Sequence, residues 1–358
     1  MIDSTAFIYK DDYLNYQFGL GHPFKPIREK YTLDKVRQLG IFNLNAELYE
    51  PSPASEEDLL LVHSKEFVDY VKKMSELGEG YLDCGDTPAT KGIYEAACSV
   101  VGGSICGADL IMEGKVSHAF NPGGGLHHAK RESAAGFCVF NDIAITARHL
   151  KKKYGVEKIA IVDVDGHHGD GTQEILYDEP ILKISLHHFG IFPGTGDIDE
   201  LGSGKGKGYS VNIPLPEGTY DEPYLYAFDE VVVPLIEAYE PEILLNQFGV
   251  DGHYQDPLVG LNLTTNAYLE ISAKMHELAH KIPGGKYLIF GGGGYKPSNV
   301  SRCWAIMFAT ISGFPRNKLE ELFDRDQPKK DEQVFDIVKQ TVDRVKKTIF
   351  PFHGLKTV

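Results

Sequence analysis

The sequence is short of positive charge. Its 358 residues hold 36 lysines and arginines against 51 aspartates and glutamates, which gives a formal net charge of −15. Because nucleic-acid binding needs a positively charged surface, this deficit argues against a nucleic-acid partner, although basic peptides would be attracted. Long apolar runs are scarce as well. Runs such as Ile159–Val162 and Tyr287–Phe290 have the length of strands rather than of membrane spans, so we expect no membrane partner.

Cysteine is scarce and irregularly spaced. The five cysteines are odd in number, and none forms a C-x-x-C pair. This usage predicts reduced, mostly buried thiols rather than disulfides, in a cytoplasmic protein. The first residues, Met1 to Ser4, show no basic stretch followed by an apolar run, so we expect no secretion signal.

Short apolar runs alternate with longer amphipathic stretches in the middle of the chain. The amphipathic stretches include Asp221–Ala238 and Asn266–Lys281. The apolar runs are typical of parallel strands that are buried on both faces. This alternation predicts an α/β fold in which helices flank a central, mainly parallel sheet. The five strand candidates are Ser117–Phe120, Lys158–Asp163, Ile181–Leu186, Glu242–Asn246 and Lys286–Phe290.

No linker rich in proline or serine divides the chain, so we predict a single domain over residues 1–358. In the charged C-terminal part, apolar residues recur at helical spacing. They predict an amphipathic helix at about 331–350 that packs on the body of the protein. Its apolar positions are Val334, Ile337, Val338, Val342, Val345 and Ile349.

Polar or glycine-rich sequence follows each strand candidate directly. In an open α/β sheet the carboxyl ends of parallel strands lie at one edge, and ligands bind there. We therefore expect the segments that follow these strands to form a single site. Six of the 14 histidines form three adjacent pairs within these segments. Packing alone does not account for such clustering. The pairs are His127-His128, His167-His168 and His187-His188.

Metal-binding residue types recur after the strand that ends at Asp163. Asp165 and His167 are alternate residues, so in an extended chain both point to the same side. A carboxylate and an imidazole suit Zn²⁺ or another first-row divalent ion, and Asp251 is the best candidate for a third ligand. The other interpretation is that Asp163 and Asp165 cap a helix that starts near Gly171.

Candidate catalytic groups lie in two glycine-rich segments. The adjacent imidazoles of His127 and His128 can approach one substrate from the same side, and Asp163 and Asp170 are available to orient them. Taken alone, they are equally consistent with histidines of a surface loop. Tyr295 follows four glycines and can donate a hydrogen bond to an oxyanion. Its alternative is an ordinary turn that carries an aromatic side chain.

The segment His276–His280 fits the pattern H-E-x-x-H, whose two histidines bind zinc in metalloproteases. It lies in an amphipathic stretch whose apolar positions, Ile271, Met275 and Leu278, must face the core. No third ligand is evident downstream. We therefore disfavour a zinc protease.

Six motifs stand in order along the chain. They are Pro122–Ala129, Gly136–Cys138 with Asn141-Asp142, Asp163–Gly171, Phe192–Asp197, Asp251 with Asp256-Pro257, and Gly291–Tyr295. Together they resemble the motifs of zinc-dependent histone deacetylases, most of all the class I type and its bacterial acetoin-utilization relatives. The resemblance runs from about His22 to about Trp304. It implies the arginase/deacetylase fold and hydrolysis of N6-acetyl-lysine, or another acyl-lysine, in proteins or peptides.

Position by position, the resemblance implies two ions and a set of catalytic groups. The ions are Zn²⁺, with Fe²⁺ as an alternative, and a structural K⁺. The implied zinc ligands are Asp165, His167 and Asp251. The implied potassium site lies at Asp163, Asp165, His167, Ser185 and Leu186. The implied catalytic residues are His127 and His128, their partners Asp163 and Asp170, and the oxyanion-stabilising Tyr295.

The resemblance also implies how the substrate is held. The carbonyl of Gly136 would accept the substrate amide N–H, and Arg28 would line an internal acetate channel. Thr87 stands where the family often has cysteine. Leu126 stands where relatives often carry a different apolar residue, which would alter the pocket floor and the acyl preference. The other implied substrate-binding residues are Phe137 and Phe192 in the walls of the acyl-lysine tunnel, Leu258 near its mouth, and Asp86 at its rim.

Three other functions compete with this one. A small-molecule amidohydrolase, such as an acetylpolyamine deacetylase, shares the chemistry, but those relatives tend to carry Pro-Pro-Gly-His-His. An arginase-like dinuclear manganese enzyme would need further bridging carboxylates and would leave His127 and His128 without a clear role. A protein that binds acyl-lysine without cleaving it would lack the tyrosine or the histidine pair, and both are present.

Overall fold

The computed structural model describes residues 4–357, so the first three of the residues inspected for a secretion signal lie outside the described residues. A single eight-stranded sheet forms the centre of the α/β domain. Its strands are β1 (Thr5–Ile8), β2 (Ala46–Tyr49), β3 (His118–Asn121), β4 (Ile159–Asp163), β5 (Leu182–His188), β6 (Ser210–Leu215), β7 (Ile243–Gln247) and β8 (Tyr287–Phe290). The order is β2-β1-β3-β8-β7-β4-β5-β6, and every neighbouring pair is parallel. The predicted parallel sheet is therefore confirmed.

Eleven α-helices connect the strands of the described residues and cover the sheet. They are α1 (Ile27–Leu39), α2 (Glu56–Leu59), α3 (Lys65–Leu77), α4 (Ile93–Met112), α5 (Asp142–Tyr154), α6 (Asp170–Ile175), α7 (Asp221–Ala227), α8 (Val233–Tyr239), α9 (Thr265–Lys281), α10 (Pro297–Ile311) and α11 (Glu332–Ile349). A π-helical turn, Phe228–Val232, joins α7 to α8 just before Pro234, a residue that has no N–H to donate. The two helices thus form the long amphipathic stretch expected from the sequence.

The central strands are buried on both faces. All residues of β3, β4, β7 and β8 are buried, which explains the continuous apolar runs of β4, β7 and β8. Because β3, β8, β7 and β4 are consecutive in the sheet, the segments that follow them emerge side by side at one edge. This order places the candidate residues of four segments next to one another.

Helix α4 corrects one expectation. By length and composition it is long and apolar enough to cross a membrane, although no stretch of the sequence was expected to have that character. Its most apolar window is 72% buried inside the fold. The helix packs against β3 and α5, as the core helix of a sheet protein does.

Helix α11 lies where the sequence pattern placed a C-terminal helix, and it packs against β6 and α7. Val338, Val342, Val345 and Ile349 are fully buried, whereas Ile337 is 46% exposed. Ile337 therefore does not belong to the buried face, although its spacing suggested that it did.

This difference gives a matched pair of stability predictions. We expect Ile349→Ala to lower the free energy of unfolding by about 2–5 kcal/mol, because it leaves a cavity under α11. Ile337→Ala, on the same helix, should change it by less than about 0.5 kcal/mol. Urea unfolding of both variants checks this. Equal losses would mean that α11 does not pack as described.

Candidate active site

The metal-ligand candidates Asp165, His167 and Asp251 come together at the ends of β4 and β7. One ligand atom from each lies within 4.8 Å of the other two, and all three residues are buried. The Nδ1 atom of His167 lies 2.8 Å from Oδ2 of Asp251 and 3.3 Å from Oδ1 of Asp165. The side-chain amide of Gln247 donates to Oδ2 of Asp165 at 2.7 Å and fixes that carboxylate. Gln247 is a supporting residue that sequence reasoning missed.

The electrostatics of this cluster suit a cation. Burial and the charge of Asp165 raise the pKa of Asp251 to about 6. Burial alone would lower the pKa of His167, but Asp251 and Asp165 outweigh it and raise that pKa to about 10. Two buried carboxylates and one imidazole are a donor set that a first-row divalent ion fits. At Gly293 a Cβ atom would lie 2.2 Å from Oδ2 of Asp251, so the bare backbone there keeps the cluster open.

The paired histidines lie next to this cluster, and each is oriented by its own carboxylate. His127 Nδ1 is 2.7 Å from Asp163 Oδ2, and His128 Nδ1 is 2.7 Å from Asp170 Oδ1. Their Nε2 atoms lie 3.0 Å apart. Burial opposes protonation of His127, but the charges of Asp163 and Asp165 raise its pKa to about 9. Burial and the charge of His127 lower the pKa of His128 to about 3.

One cavity of about 240 Å³ brings the candidate residues of several segments together. The ring of Phe192 lies 5.0 Å from that of His128, and the ring of Phe137 lies 5.7 Å from that of Tyr295. Ile191 is a lining residue that the sequence did not point to. The lining residues are Asp86, His128, Gly136, Phe137, His167, Ile191, Phe192, Leu258 and Tyr295.

The segment at Gly136 requires a glycine. Its φ is +52°, and a Cβ atom would lie 2.5 Å from Cδ2 of His128 and 2.8 Å from Cε1 of Phe192. The next residue, Phe137, has φ +68°, which is unfavourable for a bulky side chain. The hydroxyl of Thr87 accepts the Phe137 N–H at 3.0 Å and donates to Asp86 at 3.0 Å, while Asp86 accepts the Gly136 N–H at 3.2 Å. Thr87 therefore joins the rim of the cavity to its wall.

Tyr295 is held through its backbone. Its N–H donates to Oδ2 of Asp256 at 2.7 Å. Burial and the charge of Asp251 raise the pKa of Asp256 to about 7. On the other side, buried Arg28 donates to the carbonyl of Gly294 at 2.9 Å. Arg28 therefore lies behind the tyrosine loop and does not line the cavity itself. Asp256 is a second supporting residue that the sequence marked only as part of a motif.

The remaining histidines of the three pairs lie outside this cavity. His168 Nδ1 is 2.8 Å from the hydroxyl of Thr195, and its ring lies 4.8 Å from that of His187. His188 accepts the Gly260 N–H at 3.3 Å. Three of the six paired histidines thus reach the candidate site. Leu126 is buried, and it is absent from the residues that line the cavity.

The residues of the implied potassium site lie on neighbouring strands. Asp163 on β4 is the register partner of Ser185 on β5, and Leu186 follows Ser185. The hydroxyl of Ser185 is 3.0 Å from Nδ1 of His187. Asp165 and His167 come directly after β4, so all five positions belong to one part of the sheet edge.

The comparison with known families agrees with this geometry. The sequence-family model for the histone deacetylase domain matches residues 22–311 of this chain. The chain belongs to the histone deacetylase family. It is 42% identical to the acetoin utilization protein AcuC of Bacillus subtilis over 320 residues. This aligned stretch is 86% of this chain and 82% of that protein. The resemblance drawn from the six motifs is thereby confirmed.

Two further relatives extend the comparison. AcuC of Staphylococcus aureus (strain MSSA476) is 37% identical over 322 residues, which is 87% of this chain and 82% of that protein. A probable deacetylase of Archaeoglobus fulgidus is 38% identical over 334 residues, which is 90% of this chain and 92% of that protein. The parallel sheet with flanking helices is consistent with the arginase/deacetylase fold of this family. The chain is a deacetylase-type hydrolase of a generally metal-dependent family.

Proposed function

We propose that the protein is a zinc-dependent lysine deacetylase, which hydrolyses the amide of N6-acetyl-lysine in a protein or peptide and releases acetate. We further propose that the whole chain acts as one deacetylase domain. The observation that carries this proposal is the composition of one cavity. Aromatic rings at Phe137 and Phe192 share it with His128, Tyr295 and the ligand candidate His167. A small cavity lined by aromatic rings suits the apolar stem of an acyl-lysine, and the polar groups suit its amide.

Asp165, His167 and Asp251 would hold the metal, with Zn²⁺ as the proposed ion and Fe²⁺ as the alternative. When bound, the ion would polarise the amide carbonyl and bring the pKa of water toward about 7. The two buried carboxylates of the cluster favour such a cation.

The paired histidines would move the protons. His128, whose pKa is low, is neutral near pH 7 and would accept a proton from the attacking water. As the amide C–N bond breaks, a protonated imidazole, His128 or His127, would donate a proton to the leaving lysine amine. Asp163 and Asp170 orient the two rings through their Nδ1 atoms.

Other residues would bind and position the substrate. Tyr295 would donate its hydroxyl proton to the developing oxyanion. The carbonyl of Gly136 would accept the substrate amide N–H, and Asp86 and Leu258 would contact the peptide at the mouth of the cavity. Arg28 would contact acetate behind the tyrosine loop. The potassium site would lie at the five positions named above, where it would support the metal-ligand segment.

Metal removal and readdition test this function. Protein stripped with a chelator should release no acetate from an acetyl-lysine peptide, and added Zn²⁺, or Fe²⁺, should restore release. Asp251→Ala should prevent that recovery, because it removes a ligand. An acetylpolyamine serves as the competing substrate. Faster release from the acetylpolyamine than from the peptide would overturn the protein-substrate proposal, and full activity of the stripped protein would overturn the metal dependence.

A further inference from the structure

A second group of metal-binding side chains lies at the opposite end of the strands. His118 is the first residue of β3, whereas the catalytic candidates follow the last residues of the strands. His276 and His280 lie one turn apart on α9. The Nε2 atom of His276 is 3.0 Å from Nε2 of His118 and 3.0 Å from Nε2 of His280. One ring nitrogen from each residue lies within 4.8 Å of the other two.

The contacts among the three rings are unusual for neighbouring imidazoles. A ring nitrogen carries either one hydrogen or one lone pair, so it makes one ordinary hydrogen bond. The Nε2 atom of His276 faces two other Nε2 atoms at the same short distance. At most one of these contacts is an ordinary hydrogen bond. Three lone pairs directed at a shared ion are an arrangement that fits both short contacts.

The spacing matches that of imidazoles around one ion. Zinc binds histidine nitrogen at about 2.0–2.1 Å, so the nitrogens of a tetrahedral site lie roughly 3.3 Å apart. The two separations of 3.0 Å are close to this value. The third pair of ligand nitrogens, on His118 and His280, lies within 4.8 Å. Imidazole is a ligand that Zn²⁺, Ni²⁺ and Cu²⁺ all accept.

The surroundings of the cluster leave it accessible and favour a cation. His118 is buried, His276 is half-buried and His280 is exposed, so an ion could enter from solvent and keep water as a further ligand. His280 also lies in the last turn of α9, which ends at Lys281, and the negative end of a helix dipole favours a positive charge.

We propose that His118, His276 and His280 form a divalent-metal site that takes Zn²⁺ or a similar first-row ion and ties α9 to β3. Two of the ligands belong to the H-E-x-x-H segment, and the third comes from the sheet rather than from a downstream helix. Glu277 is exposed and is not part of the converging group. The site therefore binds a metal without the arrangement of a protease. This proposal does not depend on the deacetylase function.

Zinc counting tests the site. Chelator-stripped protein is dialysed against micromolar Zn²⁺, and bound zinc is measured by mass spectrometry. Wild-type protein should hold two zinc ions per chain. His280→Gln should hold one and keep its deacetylase activity, because His280 is exposed and remote from the cavity. His276→Gln should also hold one, whereas Glu277→Gln, the matched control, should hold two. Asp251→Ala should keep only the ion at the histidine cluster, and Zn²⁺ should raise the Tm of this variant.

The outcomes separate the two sites. If His280→Gln binds as much zinc as wild type, or if Asp251→Ala binds none, the histidine site is overturned and the deacetylase proposal is untouched. If two ions bind, and the second is lost in His280→Gln, but no acyl-lysine is hydrolysed, the deacetylase proposal fails and the histidine site stands.

Discussion

Replacing Tyr295 by phenylalanine is expected to lower kcat by roughly 10²–10³ and to leave the metal content unchanged. The change removes one hydroxyl group. The ring is retained, so its edge contact with Phe137, at 5.7 Å, and the backbone hydrogen bond to Asp256 should persist. Burial and the charge of Asp251 hold the pKa of Tyr295 well above its usual value, so the hydroxyl stays protonated and able to donate. The lost rate would therefore report the hydrogen bond to the oxyanion.

A second tyrosine provides the control for this experiment. Tyr254 stacks on His253, with ring centroids 4.8 Å apart, and it does not line the cavity. Tyr254→Phe should therefore keep wild-type kcat. The measurement is acetate release under saturating peptide, together with bound zinc. Near-normal turnover of Tyr295→Phe would remove the oxyanion role, and loss of zinc from that variant would assign Tyr295 a structural role instead.

The sequence predicted the strands at the centre of the sheet better than those toward its edges. β4, β7 and β8 contain continuous apolar runs because the sheet buries them, whereas the apolar runs of β3 and β5 are shorter. The edge strand β2 was missed, since its polar and exposed residues give no such run. The edge strand β6 was missed as well, and it contains Pro214. Proline cannot donate to a strand ladder, so it is tolerated at an edge and weakens a prediction made from sequence.

Some residues of the site could likewise be predicted from local sequence, whereas others depend on how distant segments pack. Local spacing predicts that Asp165 and His167 bind the same metal ion, because alternate residues of an extended segment point to the same side. The support that Gln247 and Asp256 give was not predicted, since it depends on how separate segments pack. The histidine cluster is the extreme case. His118 and His276 are 158 residues apart, and only the packing of α9 beside β3 makes them neighbours.

Removing the imidazole of His128 is expected to lower kcat by roughly 10²–10⁴ while zinc remains bound, because the general base is lost. Asp170 accepts the Nδ1–H of His128 and leaves Nε2 as the proton acceptor. The low pKa of His128 keeps it neutral near pH 7, whereas the raised pKa of His127 keeps that ring protonated. The two rings therefore differ in proton affinity, and His128 is the one that can accept a proton. His128→Ala would remove the proton-accepting Nε2 atom and leave all three proposed metal ligands in place.

His168→Ala is the matched control for the loss of a buried histidine. His168 belongs to the neighbouring pair and contacts Thr195 and Gln173, outside the cavity. Any loss of stability can be read from the Tm of both variants, so a fall in kcat confined to His128→Ala isolates the chemistry. If the two variants lose the same activity, His128 is a packing residue and another group must accept the proton. If His128→Ala loses activity and zinc together, its ring supports the metal site rather than the proton transfer.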